Sequence, residues 1–451
     1  MSSEWRAAKI EEIAAPYSTA LATGPFGSAI SSKYFVDSGV PVIRGSNLSA
    51  DTSTRLIDAD LVFVSHEKAN EFQRSVAKRG DLVFTCWGTI NQVGLIDSRS
   101  KFDSYIVSNK QMKLTIDPAK ADHRFIYYVF SGPAKQNEIL ENGIGSSVPG
   151  FNLGQLKRHE ILLPPVQEQV RIADFLETFD DRITLLRETN ATLEGIAQAL
   201  FKSWFVGFDP VRAKAEGRQP DGMDAATAAL FPDSFEESEL GFVPKGWRVT
   251  ACKNIMDVRD GTHDSPKPSL SGYPLITSRH ITSGEIIADD AYLIAVDDYL
   301  SVSKRSKVDH LDVLITMIGT VGVPAIVLDG APEFAIKNIG LFKSSELPLL
   351  SHYMYILLCS AGMQRYLLAR LAGTTQKYLS LKALREISVL VPSTSVLEKF
   401  SQVVSPLFEK IHQQRGQIKC LTQLRDTLLP RLISGQLHLP EAEALVAEVA
   451  S

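Results

Sequence analysis

The side chains that could do chemistry are present but not arranged for it. Cys86, Cys252, Cys359 and Cys420 are scattered, with no C-x-x-C spacing to build a metal site or redox pair. Their expected state is that of buried or idle thiols in a reducing compartment. No Gly-Lys dipeptide occurs, so there is no Walker-type phosphate loop. No Asp or Glu stands two positions before a lysine, which removes the usual Glu-x-Lys nuclease signature. H-E-x-x-H, G-x-S-x-G and G-x-G-x-x-G are missing, and the nearest glycine pattern, GIGSSVPG at Gly143 to Gly150, has the wrong spacing. The only Pro-Pro, at 164 and 165, follows Leu163, which is not the Asn/Asp-Pro-Pro-aromatic tetrapeptide with which amino-methyltransferases hold a target base. The residues imply a chain with no catalytic centre of its own.

The pattern that does stand out is long-range. Gly145 to Gly207 lies on Gly373 to Gly435 at a constant offset of 228 residues without a gap, and the matched pairs include Pro164/Pro392, Ile183/Ile411, Arg187/Arg415 and Leu200/Leu428. What recurs is the glycines and prolines that punctuate elements and the apolar positions that face a core. The repeat extends upstream with small insertions: Trp5-Arg6 matches Trp247-Arg248, Pro41 in GVPVIRGSNL matches Pro274 in GYPLITSRHI, and DLVFTCWGT (81–89) matches DVLITMIGT (312–320). Two similar halves present two similar surfaces, suited to an object that itself has two separated sites.

Each half reads as one globular unit followed by one helical unit. In the first, VPVIRG, DLVFT, VGLID and KLTI look like strands, and His123–Gly132 and Ala134–Glu141 look helical, with Asn142-Gly143 as a stop. In the second, YPLITS, DVLITM, PAIVLD and IGLFK are the strands and Ser351–Leu371 the helix. After Pro164-Pro165 the period becomes helical. Leu176, Phe179, Ile183, Leu186, Asn190, Leu193, Ala197, Leu200 and Trp204 form a heptad seam, repeated by Val404, Leu407, Ile411, Gln414, Ile418, Leu421, Arg425, Leu428 and Leu432. Two matching seams in one chain, separated by a globular unit, are most simply closed by antiparallel pairing. A core-only hairpin or a homodimer seam would show the same periodicity. Each helix of about 40 residues would run about 60 Å, and Ser405-Pro406 suggests a restarted helix with a break or kink.

The expected organisation is therefore an α/β (α+β) chain with an internal two-fold repeat: a first domain at 1–163, a central helix at 164–206, a linker at 207–246 with a short helix around Asp224–Leu230, a second domain at 247–392, a distal helix at 393–436 and a tail at 437–451. The net charge of −5 at first argues against a nucleic-acid partner. Its distribution removes that objection: Val166 to Leu240 carries 15 acidic and 7 basic residues, leaving the remainder at +3, which permits local basic faces. No run of about 18 apolar residues exists to span a bilayer, and MSSEWRAAKIEE lacks a secretory apolar stretch, so a cytoplasmic chain is expected.

GPFGS (24–28), VIRGSNL (42–48), LLPPVQEQVRIADFL (162–176), ALFKSWFVGFDP (199–210), GFVPKGW (241–247), DGTH (260–263) and LRDTLLPRLISGQL (424–437), in this order on a two-fold repeat, resemble the specificity subunit of type I restriction-modification systems. The resemblance covers nearly the whole chain. It implies two target-recognition domains, each reading half of a split double-stranded DNA sequence, with a helical spacer that also docks two methyltransferase subunits. It further implies that those partners use S-adenosylmethionine to methylate adenine, that restriction subunits supply ATP- and Mg-dependent translocation and cleavage, and that this chain binds no cofactor or metal. The rival reading is a non-enzymatic tether that binds proteins or glycans through its repeated domains.

A sequence reader needs side chains that reach base edges and others that fix register on phosphates. Polar or basic residues beside Gly-rich turns are the candidates: Ser28, Lys33, Arg44, Ser46, Asn47, Thr89, Asn91, Gln92, Lys110, Ser146 and Ser147 in the first half. In the second half they are Thr262, His263, Lys267, Thr277, Arg279, His280, Thr320, Lys337, Asn338, Thr374, Thr375, Gln376 and Lys377. Arg44 and Arg279 have the donors for guanine, and Asn47, Gln92 and Gln376 have the amides for adenine. The competing role of Asn47, Asn91 and Asn338 is turn geometry, that of Thr89 and Thr320 a structural hydroxyl, and that of His263 a solvated loop position. Trp87, Phe26 and Trp247 are expected in the core.

Overall fold

The computed structural model describes residues 5–145, 148–282, 284–373 and 377–450. The chain forms two compact units, one from residues 1–187 with 416–451 and the other from 188–415. The two boundaries, 187/188 and 415/416, are themselves separated by the repeat offset. Each unit thus holds one mixed α/β domain and one half of each long helix.

In the first unit, short and almost wholly buried runs build an antiparallel sheet in the order Leu21–Thr23, Gln111–Thr115, Asp81–Thr85, Val93–Leu95. A second sheet contains a parallel pair, Val40–Ile43 beside Ser104–Val107, with Val42 opposite Ile106. The second unit repeats both features: Val258–Asp260, Ile339–Phe342, Val313–Thr316 and Pro324–Ile326 form the antiparallel sheet, and Leu275 pairs in parallel with Ala335. A short strand pair closes each domain onto its long helix, Arg6–Lys9 with Glu160–Leu163 and Arg248–Ala251 with Ser388–Val391.

Two helices back the first antiparallel sheet, His123–Ser131 and Pro133–Glu141, broken at Gly132. The second unit has the same break. Where one helix over Ser351–Leu371 was expected, there are two, Pro348–Cys359 and Ala361–Leu368, because Ser360 is extended and its hydroxyl caps Met363 N–H. Gly132 has the same extended backbone, set there by Pro133 at the start of the next helix rather than by a side-chain cap.

The central helix is Val166–Lys202 and the distal helix Thr394–Ile433. The distal helix is continuous through Pro406, so the expected break is absent. Val404 and Phe408, on either side, are buried in the second unit's core, and that packing holds the helical path despite the lost N–H. None of the eighteen seam positions is exposed. In the first unit Leu176 and Phe179 pack with Leu428, Leu429 and Leu432. In the second, Ala197, Phe201 and Trp204 pack with Val404, Phe408 and Ile411, and Glu194 meets Arg415 while Trp204 meets Phe400, so there the two helices run antiparallel.

The same scaffold is glued differently in its two copies. In the first unit Asp180, fully buried, accepts from Arg425 at 2.8 Å and from the Tyr128 hydroxyl at 2.6 Å. Burial lifts the Asp180 carboxyl above its usual range, outweighing Arg425 and Tyr128. The residues at the same repeat positions in the second unit are Phe408 and Ala197, both buried and apolar. There the aromatic rings of Phe201, Phe205, Tyr353 and Phe400 interlock instead, with Phe205 5.0 Å from both Tyr353 and Phe400. One strut is kept in both. Arg187 donates to Asp51 at 2.8 Å, and its repeat partner Arg415 donates to the Gly284 carbonyl at 3.1 Å, each tying a helix to the loop after a strand-end turn.

The segment at 207–246 is folded rather than open. Helices Asp209–Ala215 and Ala225–Ala229 and a hairpin of Phe235–Ser238 with Gly241–Pro244 bury Val211, Phe231 and Val243 in the second unit. At the other end, Leu439–Ala450 is a helix whose Ala442 joins the first core. The four cysteines are unpaired, and burial pushes the Cys86, Cys252 and Cys359 thiols up to about 12. No helix among the described residues is long and apolar enough to cross a membrane.

Candidate functional site

Three strands of the first domain end at one place. Val40–Ile43 runs into a 3-10 turn at Gly45–Asn47, Asp81–Thr85 into the CWGT loop, and Ser104–Val107 into Ser108–Lys110. Between these ends lies a cleft of about 600 Å³ that brings together Arg44, Ser46, Thr89, Gln92 and Lys110. Their residue types give a mostly donor-bearing surface with one cation at its exposed edge, Lys110. The turn is built from its own side chains: Asn47 Oδ1 accepts from Arg44 N–H at 3.0 Å and Asn47 Nδ2 donates to the Ile57 carbonyl. Asn47 is therefore buried and turned inward, with its amide occupied by turn geometry.

A glycine clamps the adjacent GPFGS loop to this cleft. A Cβ on Gly24 would stand 1.9 Å from the Ser108 carbonyl oxygen, so only glycine permits the approach. Asn109 Nδ2 then donates to the Gly27 carbonyl at 3.0 Å. Held this way, Phe26 is 86% exposed and Trp87 45%, which corrects the expectation that both lie in the core. Each sits on a loop where no sheet or helix covers it. Trp247, at 4%, is buried. Ser28 and Lys33 are exposed nearby in sequence, with Lys33 over the Tyr34 ring, and Asn91 is half-buried; none of the three lines the cleft.

The second domain repeats the clamp. A Cβ on Gly261 would stand 2.3 Å from the Ile336 carbonyl oxygen. Thr262, His263, Lys337 and Asn338 are thereby gathered: His263 Nδ1 meets Asn338 Oδ1 at 2.8 Å, His263 Nε2 meets Asp260 at 3.1 Å, and Lys337 bonds the Ser265 hydroxyl. Asn338 has φ +54°, a left-handed conformation that asparagine tolerates better than most residues. A crevice of about 350 Å³ beside them is lined by Thr262, Ser265, Asp298 and Arg305.

The strand-end turn is copied too. Thr277 stands where Arg44 does, and buried His280 where Asn47 does, accepting from Thr277 N–H at 2.8 Å. Burial lowers the His280 pKa despite Asp290. Arg279 thus matches Ser46; it is exposed and donates to the Asp290 carbonyl. Thr320, Lys267 and Lys377 are exposed and line neither crevice. Ser146, Ser147, Thr374, Thr375 and Gln376 lie outside the described residues. Sequence reasoning missed Thr85, Ser108 and Gln111, which line the first cleft. Among the described residues no group of three His, Cys, Asp or Glu side chains is placed to hold a metal.

A family model described as the type I restriction modification DNA specificity domain matches residues 26–195 and again 244–421. The chain belongs to that family. The first match starts two residues after Gly24 and takes in the first cleft, the second takes in Gly261 and its crevice, and each covers most of one long helix. The MjaIX specificity subunit of Methanocaldococcus jannaschii is 25% identical over 415 residues, covering 88% of each chain. The HindI specificity subunit of Haemophilus influenzae is 26% identical over 396 residues, covering 74% of this chain and 82% of that protein. A crystal structure of a type I system S subunit from M. genitalium aligns over 96% of both chains with a TM-score of 0.54 at 16% identity, which shows the shared fold. The twice-matched specificity family gives no support to a protein- or glycan-binding tether.

Proposed function

We propose that this member of the specificity family is the non-catalytic DNA-reading subunit of a type I complex, in which each domain reads one half of a split target. The observation that carries this is the duplication of one device: strand ends, a self-capped turn and a glycine-clamped loop, built twice around different side chains. A fixed frame with variable polar contents suits a reader whose two half-sites differ. The two long helices act as the spacer and as the dock for two methyltransferase subunits. Those partners use S-adenosylmethionine, and restriction subunits use ATP and Mg, all in the cytoplasm where the DNA is.

The test is to express the chain with its modification subunits in a host lacking adenine methylation and to map modified bases. The expected result is a motif of two short specific blocks separated by a gap of fixed length. A single contiguous motif, or methylation that is independent of this chain, contradicts the reading.

A further inference from the structure

The floor of the first cleft carries polar atoms with nothing to bond. Thr85 and Gln111 are cross-strand neighbours, 2% and 1% exposed, and both line the cleft. Among the described residues, Thr85 Oγ1 and Gln111 Nε2 have no hydrogen-bond partner, nor has Arg44 Nε on the rim. Gln111 is otherwise held in place, its Oε1 accepting from the Ser108 hydroxyl. The position a Cβ would take on Gly45 is 3.7 Å from Gln111 Nε2, so glycine leaves the space over the amide free of a side chain. An amide nitrogen and a guanidinium nitrogen only donate, and a hydroxyl can donate. Buried donors left unpaired in a folded protein call for an acceptor brought from outside.

The second domain lacks this floor. The pair matching Thr85 and Gln111 is Thr316 and Ile339. Thr316 Oγ1 already accepts from Val323 N–H at 2.9 Å, Ile339 has no polar atom, and Thr277 replaces Arg44.

We propose that Thr85, Gln111 and Arg44 form a subsite that reads guanine through the O6 and N7 atoms of its major-groove edge, in the half-site held by the first unit alone. This rests on the reading of the cleft as a DNA surface. Guanine is the base whose major-groove edge offers two acceptors and no donor; adenine and cytosine would set an amino group against the Gln111 and Arg44 nitrogens, which only donate, and thymine a methyl group.

Two isosteric variants test it in the complete complex with its modification subunits: Gln111→Glu, which puts an acceptor where a donor was, and Thr85→Val, which removes the hydroxyl. Genomic methylation is mapped for each. The wild-type complex is expected to require G at one position of one half-site. In both variants, methylation of sites carrying another base there rises about tenfold or more relative to wild type, while every other position is read as before. The subsite is overturned if neither half-site contains such a G, if both variants keep the wild-type motif, or if both lose methylation evenly at all positions. A wild-type complex that shows no split motif overturns the parent reading instead, and the two failures are distinguishable because the second appears before any substitution is made.

Discussion

Lys110 and Arg44 line one cleft, yet their chemistry assigns them different roles. Lys110 is an exposed point charge at its edge, suited to a phosphate, so Lys110→Ala should weaken binding to specific and random duplexes alike. The slope of log affinity against log salt should fall by about 0.9, measured by titration of the assembled complex. Arg44 is half-buried and set by a turn, so Arg44→Ala should cost roughly 1–3 kcal/mol of discrimination at one base pair in one half-site. Equal losses across all sequences would return Arg44 to the phosphate-contacting class. At this scale, Arg44, Ser46, Thr89, Gln92 and Lys110 were legible because polar residues next to glycine turns rarely lie in a core. Thr85 and Gln111 were not, since DLVFT and QMKLT read as ordinary strands and only their pairing brings the two side chains together. Asn47 and His280 were misleading for the opposite reason: a polar type says nothing about whether a turn has already taken its donors.

The long helices show how one element can be secured by two chemistries. Removing one member of the Asp180–Arg425 pair leaves a buried charge uncompensated, so Arg425→Ala should destabilise the chain by about 3–5 kcal/mol in denaturant unfolding. Copying the other repeat with Asp180→Phe and Arg425→Ala together should cost less than the single change, because Phe408 and Ala197 already fill the matching positions. A double variant weaker than the single one would contradict this. His352, on the helix packed against the distal helix, gives a pH signature. Burial lowers its pKa to about 4. The unfolded chain binds that proton below about 6.5 while the folded chain resists it, so stability is fully present above 6.5 and declines as pH falls toward 4. The decline attributable to this residue is at most roughly 1.4 kcal/mol per pH unit, and His352→Leu should flatten it. An unchanged pH slope in that variant would mean other groups dominate. Helix existence was readable from the heptads, but two local details were not. Pro406 is overruled by buried neighbours, and Ser360 breaks a helix through a cap that resembles any other serine in sequence.

At the scale of the molecule, the repeat was legible because glycines, prolines and core positions answer to backbone geometry, which both copies share. The 207–246 segment was harder to read, since its apolar residues are too few and too irregular to announce that they join a core made mostly by other elements. The proposed role of the paired helices is to set a distance. Deleting seven residues from each helix at matched repeat positions removes one heptad, about 10.5 Å of rise, and keeps both seams in phase. Methylation mapping of the complex carrying that double deletion is the most direct measurement. The spacer account predicts two unchanged half-sites with the gap between them shortened by about 3 base pairs at 3.4 Å each. An active complex whose gap is the same as wild type would contradict it.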